Sequence, residues 1–112
     1  MKSEVFDRSD VRTIKLSGKI TIGAGDVEIR ELIHHALDEG KRKILLDLGD
    51  VKAIDSSGIG ELVSSYTTVT KRGGHLALVH LSPKINDILQ VTQLITVFDV
   101  FDDQESAFAS FS

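Results

Sequence analysis

Two short aliphatic runs, Ile44-Leu45-Leu46-Asp47-Leu48 and Leu76-Ala77-Leu78-Val79, bracket a segment in which Ile59, Leu62, Val63, Tyr66 and Val69 recur at helical spacing. Such runs fill the middle of a parallel sheet, and the periodic segment between them reads as a helix with one face turned inward. Parallel neighbours cannot be joined by a tight turn, so the helix must cross over the sheet in the usual right-handed βαβ sense. That unit makes the chain α/β. It also puts the junction Asp55-Ser56-Ser57-Gly58-Ile59-Gly60-Glu61-Leu62 at the carboxyl end of a strand, where open α/β sheets receive ligands and partners.

The remaining elements arrange themselves around this unit. Glu4-Val5-Phe6-Asp7 and Val11 to Ser17 read as two strands of a hairpin about the polar turn Asp7-Arg8-Ser9-Asp10, with Ile14 and Leu16 inward. An irregular stretch, Gly18 to Gly25, follows. Asp26 then caps a helix whose Ile29, Leu32, Ile33, Ala36 and Leu37 form an apolar stripe ending at Gly40. Lys41, Arg42 and Lys43 suit the carboxyl end of that helix as a solvated, dipole-matched boundary. The buried strand 44–48 leads into the junction helix, Ser56 to Arg72, which Gly73-Gly74 stops. After the strand 76–79, Ser82 caps a third helix with Pro83 at its first position and Ile85, Ile88 and Leu89 inward. Ile95-Thr96-Val97-Phe98 reads as a short extended piece. A final helix, Gln104 to Phe111, buries Ala107, Phe108 and Phe111.

With 112 residues, 41% of them hydrophobic but only 5% aromatic, the chain supports one core of aliphatic packing and no second domain. The expected unit is therefore residues 1–112. No apolar run reaches bilayer length and Met1-Lys2-Ser3-Glu4 has no apolar stretch behind it, so membrane insertion is not expected and a cytoplasmic location is. The absence of cysteine removes disulfides, thiolate metal sites and thiol catalysis. A formal net charge of -4, with scattered basic residues, opposes direct binding to nucleic acid.

At the junction, Asp55 or Ser56 can cap the helix by accepting a hydrogen bond from an otherwise unpaired backbone N–H. Gly58 and Gly60 need another reason, since a glycine inside a helix costs about 1 kcal/mol relative to alanine. Close approach of a partner's backbone supplies one. Ser57, Gly60, Glu61 and Ser64 fall on the outer face of the helix and are the expected contact surface.

Asp55-Ser56-Ser57-Gly58-Ile59-Gly60 closely resembles the phosphorylation motif of the STAS-domain anti-anti-sigma factors, the anti-sigma factor antagonists of bacteria. The order of elements along essentially the whole chain, Leu16-Ser17-Gly18 and Leu81-Ser82-Pro83 are further landmarks of the likeness. The resemblance implies a single STAS-type α/β domain with a mixed sheet of four to five strands and about four helices. It implies a regulator without enzymatic activity or cofactor, phosphorylated on Ser56 by an anti-sigma factor that is itself a serine kinase. A metal-dependent serine phosphatase restores the unmodified form. Asp55, Ser57, Gly58, Gly60, Glu61 and Ser64 then form the partner-binding set. The stretch Gly18-Lys19-Ile20-Thr21-Ile22-Gly23-Ala24-Gly25 departs from the commonest family version, which has an acidic residue soon after the first glycine.

Other readings remain beside it. A related STAS domain can instead serve as a non-switching subunit of a transporter or multi-protein sensor. Ser56 or Ser57 with His75 or His80 would make a hydrolase, but no G-x-S-x-G elbow is present. Gly18-Lys19 and Gly23-Ala24-Gly25 suggest nucleotide loops without the required spacing. His34-His35 point to different helix faces and make a poor metal pair, and Asp99, Asp102, Asp103 and Glu105 best serve the amino terminus of the last helix.

Overall fold

The computed structural model describes residues 1–112. Five strands, β1 (Lys2–Arg8), β2 (Val11–Ile20), β3 (Lys43–Ile54), β4 (His75–Val79) and β5 (Asp99–Phe101), lie side by side in sequence order. β1 pairs antiparallel with β2, and the other three pairings are parallel. Four helices complete the chain: α1 (Gly25–Asp38), α2 (Ser56–Lys71), α3 (Pro83–Val91) and α4 (Gln104–Ala109).

Alternation along the strands divides the core in two. Ile14, Leu16, Ile44, Leu46, Leu48, Leu76 and Leu78 face one side, where Ile29, Ile33 and Leu37 of α1, Leu62 and Val69 of α2, and Ile85 and Leu89 of α3 close over them. Leu45, Ala77 and Val79 face the other side, under Ala107 and Phe111. The helix stops behave as the sequence demands. Gly40 takes φ +86°, its N–H reaches the Leu37 carbonyl and the Lys41 N–H reaches that of Ala36, a Schellman closure. Arg42 adds a side-chain bond to the Leu37 carbonyl at 3.0 Å.

Several boundaries differ from those read off the sequence. Asp26 does not cap α1; Ala24 holds that position without a side-chain bond, and Asp26 is buried inside the first turn with its carboxylate on the Val27 N–H. The hairpin turn is only Ser9-Asp10, because β1 extends to Arg8. Gly18, Lys19 and Ile20 belong to β2 rather than to a loop, and β3 runs on from Leu48 to Ile54, since these two ends pair with each other through bulges. Ile95-Thr96 lies in a 3₁₀ turn, Leu94–Thr96, and the extended segment is Asp99–Phe101, which reaches β4. α4 ends at Ala109, although Phe111 beyond it is still buried.

Candidate functional site

The ladder between β3 and β4 ends at Asp47 and Val79, while β3 continues to Ile54 with only β2 beside it. The two strands therefore project as a ribbon past the rest of the sheet. α2 begins at the tip of that ribbon. Asp55 makes the turn with extended backbone, φ -103° and ψ -175°, and its N–H bonds the Ile20 carbonyl at 3.2 Å. One carboxylate oxygen accepts the Gly58 N–H at 2.9 Å and the other the Ile22 N–H at 3.0 Å. One side chain thus caps α2 and ties down the loop after β2. The Gly58 and Ile22 N–H groups hold the Asp55 carboxyl below the ordinary aspartate range.

Ser56 is the first residue of α2 and is exposed; Ser57 is half-buried, and Gly60 and Ser64 are exposed. The Ser56 hydroxyl stands where free N–H groups and the positive end of the helix dipole favour an anion. No acidic residue occupies the first turn of α2, so the helix itself brings only its cap, Asp55, as a carboxylate there.

Two expected contact residues have other work. Gly58 is buried, and an added Cβ would run into the Ile20 carbonyl oxygen and come within 2.6 Å of Ile54 Cγ1. The close approach that requires glycine there is made by the chain's own β2. Glu61 is not on the outer face: it is 5% exposed, because helical spacing turns it toward α1. There Arg30 donates to its Oε1 at 2.9 Å and Ser65 to its Oε2 at 3.3 Å. Gly60 is different. Nothing lies within 4 Å of the Cβ it lacks, and it leaves a bare stretch of helix one turn from Ser56.

Sequence alone does not single out Ile22. It is 74% exposed, yet Asp55 fixes its backbone beside the start of α2, which holds an exposed apolar side chain next to the motif. An isoleucine beside Gly23 in the short connection between β2 and α1 is the available signal. Val27, in the first turn of α1, is likewise an exposed apolar residue, at 38%.

The other constellations come apart in three dimensions. His75 pairs with Asp99 at 2.8 Å and His80 with Asp47 at 3.2 Å, and neither bonds Ser56 or Ser57. His34 and His35 are exposed, and His35 holds Glu39 at 2.6 Å. Of the acidic group, Asp103 caps α4 through the Ser106 N–H at 2.8 Å, Glu105 binds Arg8 and Asp99 binds His75. No three of the His, Asp and Glu side chains are arranged to hold a metal ion. No helix is long and apolar enough to cross a membrane.

Comparison with known proteins agrees with this fold. A family model described as the STAS domain matches residues 3–107. An anti-sigma F factor antagonist of Paenibacillus polymyxa is 22% identical over 112 residues, spanning 96% of this chain and 92% of its own. A crystal structure from Thermotoga maritima, named a candidate anti-sigma factor antagonist, superposes with a TM-score of 0.89 at 25% identity, covering 96% of this chain and 92% of that one. The Bacillus cell fate determinant SpoIIAA in its phosphorylated form superposes with a TM-score of 0.75 at 19% identity over 99% and 100% of the two chains, a likeness of fold.

Proposed function

The chain belongs to the STAS domain family, and from that premise we propose that it is an anti-sigma factor antagonist whose partner binding is switched by phosphorylation of Ser56. The partner is an anti-sigma factor that is a serine kinase. Bound to it, the unmodified protein releases the sigma factor. The kinase moves the γ-phosphoryl group of ATP to the Ser56 oxygen, leaving ADP and a proton, and a metal-dependent serine phosphatase hydrolyses the ester to restore the hydroxyl. The antagonist itself contributes no catalytic group.

The observation that carries this reading is an exposed hydroxyl at the first position of a helix capped by Asp55, beside the bare Gly60 and the ordered Ile22. Phosphate adds about -1.5 to -2 charges at neutral pH. In the free protein it meets solvent on one side and the helix amino terminus on the other, an interaction worth roughly 0.3 to 2 kcal/mol, so the fold survives. In the complex the same group is pressed against a surface that approaches across Gly60 and Ile22, and must lose its water. Weakening binding from about micromolar to about millimolar takes only roughly 4 kcal/mol. The switch then acts at the contact surface without refolding. The binding surface is Ser56, Ser57, Gly60, Ser64 and Ile22; Asp55 shapes it and Gly58 keeps the helix seated on β2.

Incubation with the host's anti-sigma kinase and ATP is expected to add one phosphate, located at Ser56 by peptide mapping. Ser56→Ala is expected to keep kinase binding and lose the label. Label on another residue with Ser56 unmodified would refute the assignment. Kinase binding unaffected by Ser56→Asp, with stable co-purification of a transporter or sensor assembly, would favour a non-switching STAS subunit.

A further inference from the structure

We propose that the outer edge of β1 pairs with β1 of a second copy, antiparallel about a two-fold axis at Phe6, so that Glu4 of each copy faces Arg8 of the other. This goes beyond the switch at Ser56 and does not depend on it. All seven residues of β1 are exposed, the strand has neither proline nor bulge, and Val5 and Phe6 remain 45% and 51% exposed. Edge strands of this kind carry unpaired N–H and C=O groups that template pairing with another chain.

The free groups can be assigned. A two-residue hairpin closes on a bonded pair, here Arg8 and Val11, so Lys2, Glu4, Phe6 and Arg8 spend their backbone groups on β2. Ser3, Val5 and Asp7 direct theirs outward. A two-fold axis perpendicular to the sheet keeps each face on its own side, which restricts the pairing to registers two residues apart.

Charge selects among these registers. An axis at Glu4 sets Glu4 against its own copy, and an axis at Val5 sets Lys2 against Arg8 twice; both oppose like charges. An axis at Phe6 places Phe6 on Phe6 as a central aromatic pair, lets Val5 and Asp7 exchange backbone hydrogen bonds, and brings Glu4 opposite Arg8 at both ends. The structure holds these side chains ready. Lys15, the neighbour of Glu4 on β2, is drawn to Asp50 at 3.4 Å, leaving Glu4 open to a cation across the edge. Arg8 is braced by Glu105 at 2.9 Å and by the Phe108 ring, 3.9 Å from the guanidinium carbon to the centroid, yet its side chain is 57% exposed. It has donors to spare for a second carboxylate.

A ladder this short belongs to the weak class of interfaces, so the test is sedimentation equilibrium from about 10 µM to about 1 mM. The wild-type chain is expected to self-associate, and Glu4→Arg to weaken that association about tenfold or more. Arg8→Glu is expected to do the same. An equimolar mixture of the two single variants, and the double variant Glu4→Arg/Arg8→Glu alone, restore opposite charges at both ends and are expected to associate like the wild type. A wild type that stays monomeric throughout would overturn the proposal. Association of Glu4→Arg as strong as the wild type would overturn it equally, since the Val5-centred register does not place Glu4 against Arg8.

Discussion

Asp55 bears two loads with one carboxylate: the cap of α2 and the anchor of Ile22. Its carboxyl is held below the ordinary aspartate value of 3.8, so its contribution to stability is present above that pH and is lost as pH falls through the lowered value. Urea midpoints measured against pH should therefore fall on acidification, and fall less steeply in Asp55→Asn, which can still accept hydrogen bonds but does not titrate there. The two glycines of the motif should part company. Gly58→Ala drives a methyl into the Ile20 carbonyl and Ile54 and should cost about 1–3 kcal/mol in chemical unfolding. Gly60→Ala meets empty space and should gain about 1 kcal/mol of helix stability. On the proposed surface the same methyl should weaken kinase binding, a combination that a purely structural glycine would not show.

At the scale of elements, α1 and α2 are tied by Arg30 and Glu61, and the tie is lopsided: the Arg30 side chain is 57% exposed and that of Glu61 5%. Arg30→Ala leaves a buried carboxylate with only Ser65 and should cost about 2–3 kcal/mol. Glu61→Gln leaves Arg30 free to turn to water and should cost less, about 1 kcal/mol by thermal or urea unfolding. The βαβ unit and every helix were legible because their signals are local: apolar period, cap residue, stop glycine. Asp55, Ser82 and Gly40 do what their types suggest. Beyond the cap of α1, which falls at Ala24 and not Asp26, the features that the sequence does not show are those decided by neighbours. The strand character of Gly18–Ile20 comes from pairing with β3 past the end of the sheet, and that of Asp99–Phe101 from pairing with β4. Period alone could not show that Glu61 faces α1, because a carboxylate on a helix reads as exposed until an arginine from another helix is found beside it.

For the molecule as a whole, the junction motif was readable because its residues are contiguous, and its apolar flank was not, because Ile22 reaches it only through the fold. The sheet positions a rigid tip: β2 and β3 project together, Gly58 seats α2 on them, and Ser56 faces outward from a site already ordered without a partner. Adding charge there should change what the surface accepts and not how the chain folds. Far-ultraviolet circular dichroism and the urea midpoint of the phosphorylated protein should match those of the unmodified one closely. The most direct test is a calorimetric titration of the host's anti-sigma kinase with homogeneous unmodified protein and with protein phosphorylated at Ser56. The account predicts binding weaker by about a thousandfold for the phosphorylated form, a loss of roughly 4 kcal/mol. Equal affinities for the two forms would contradict it.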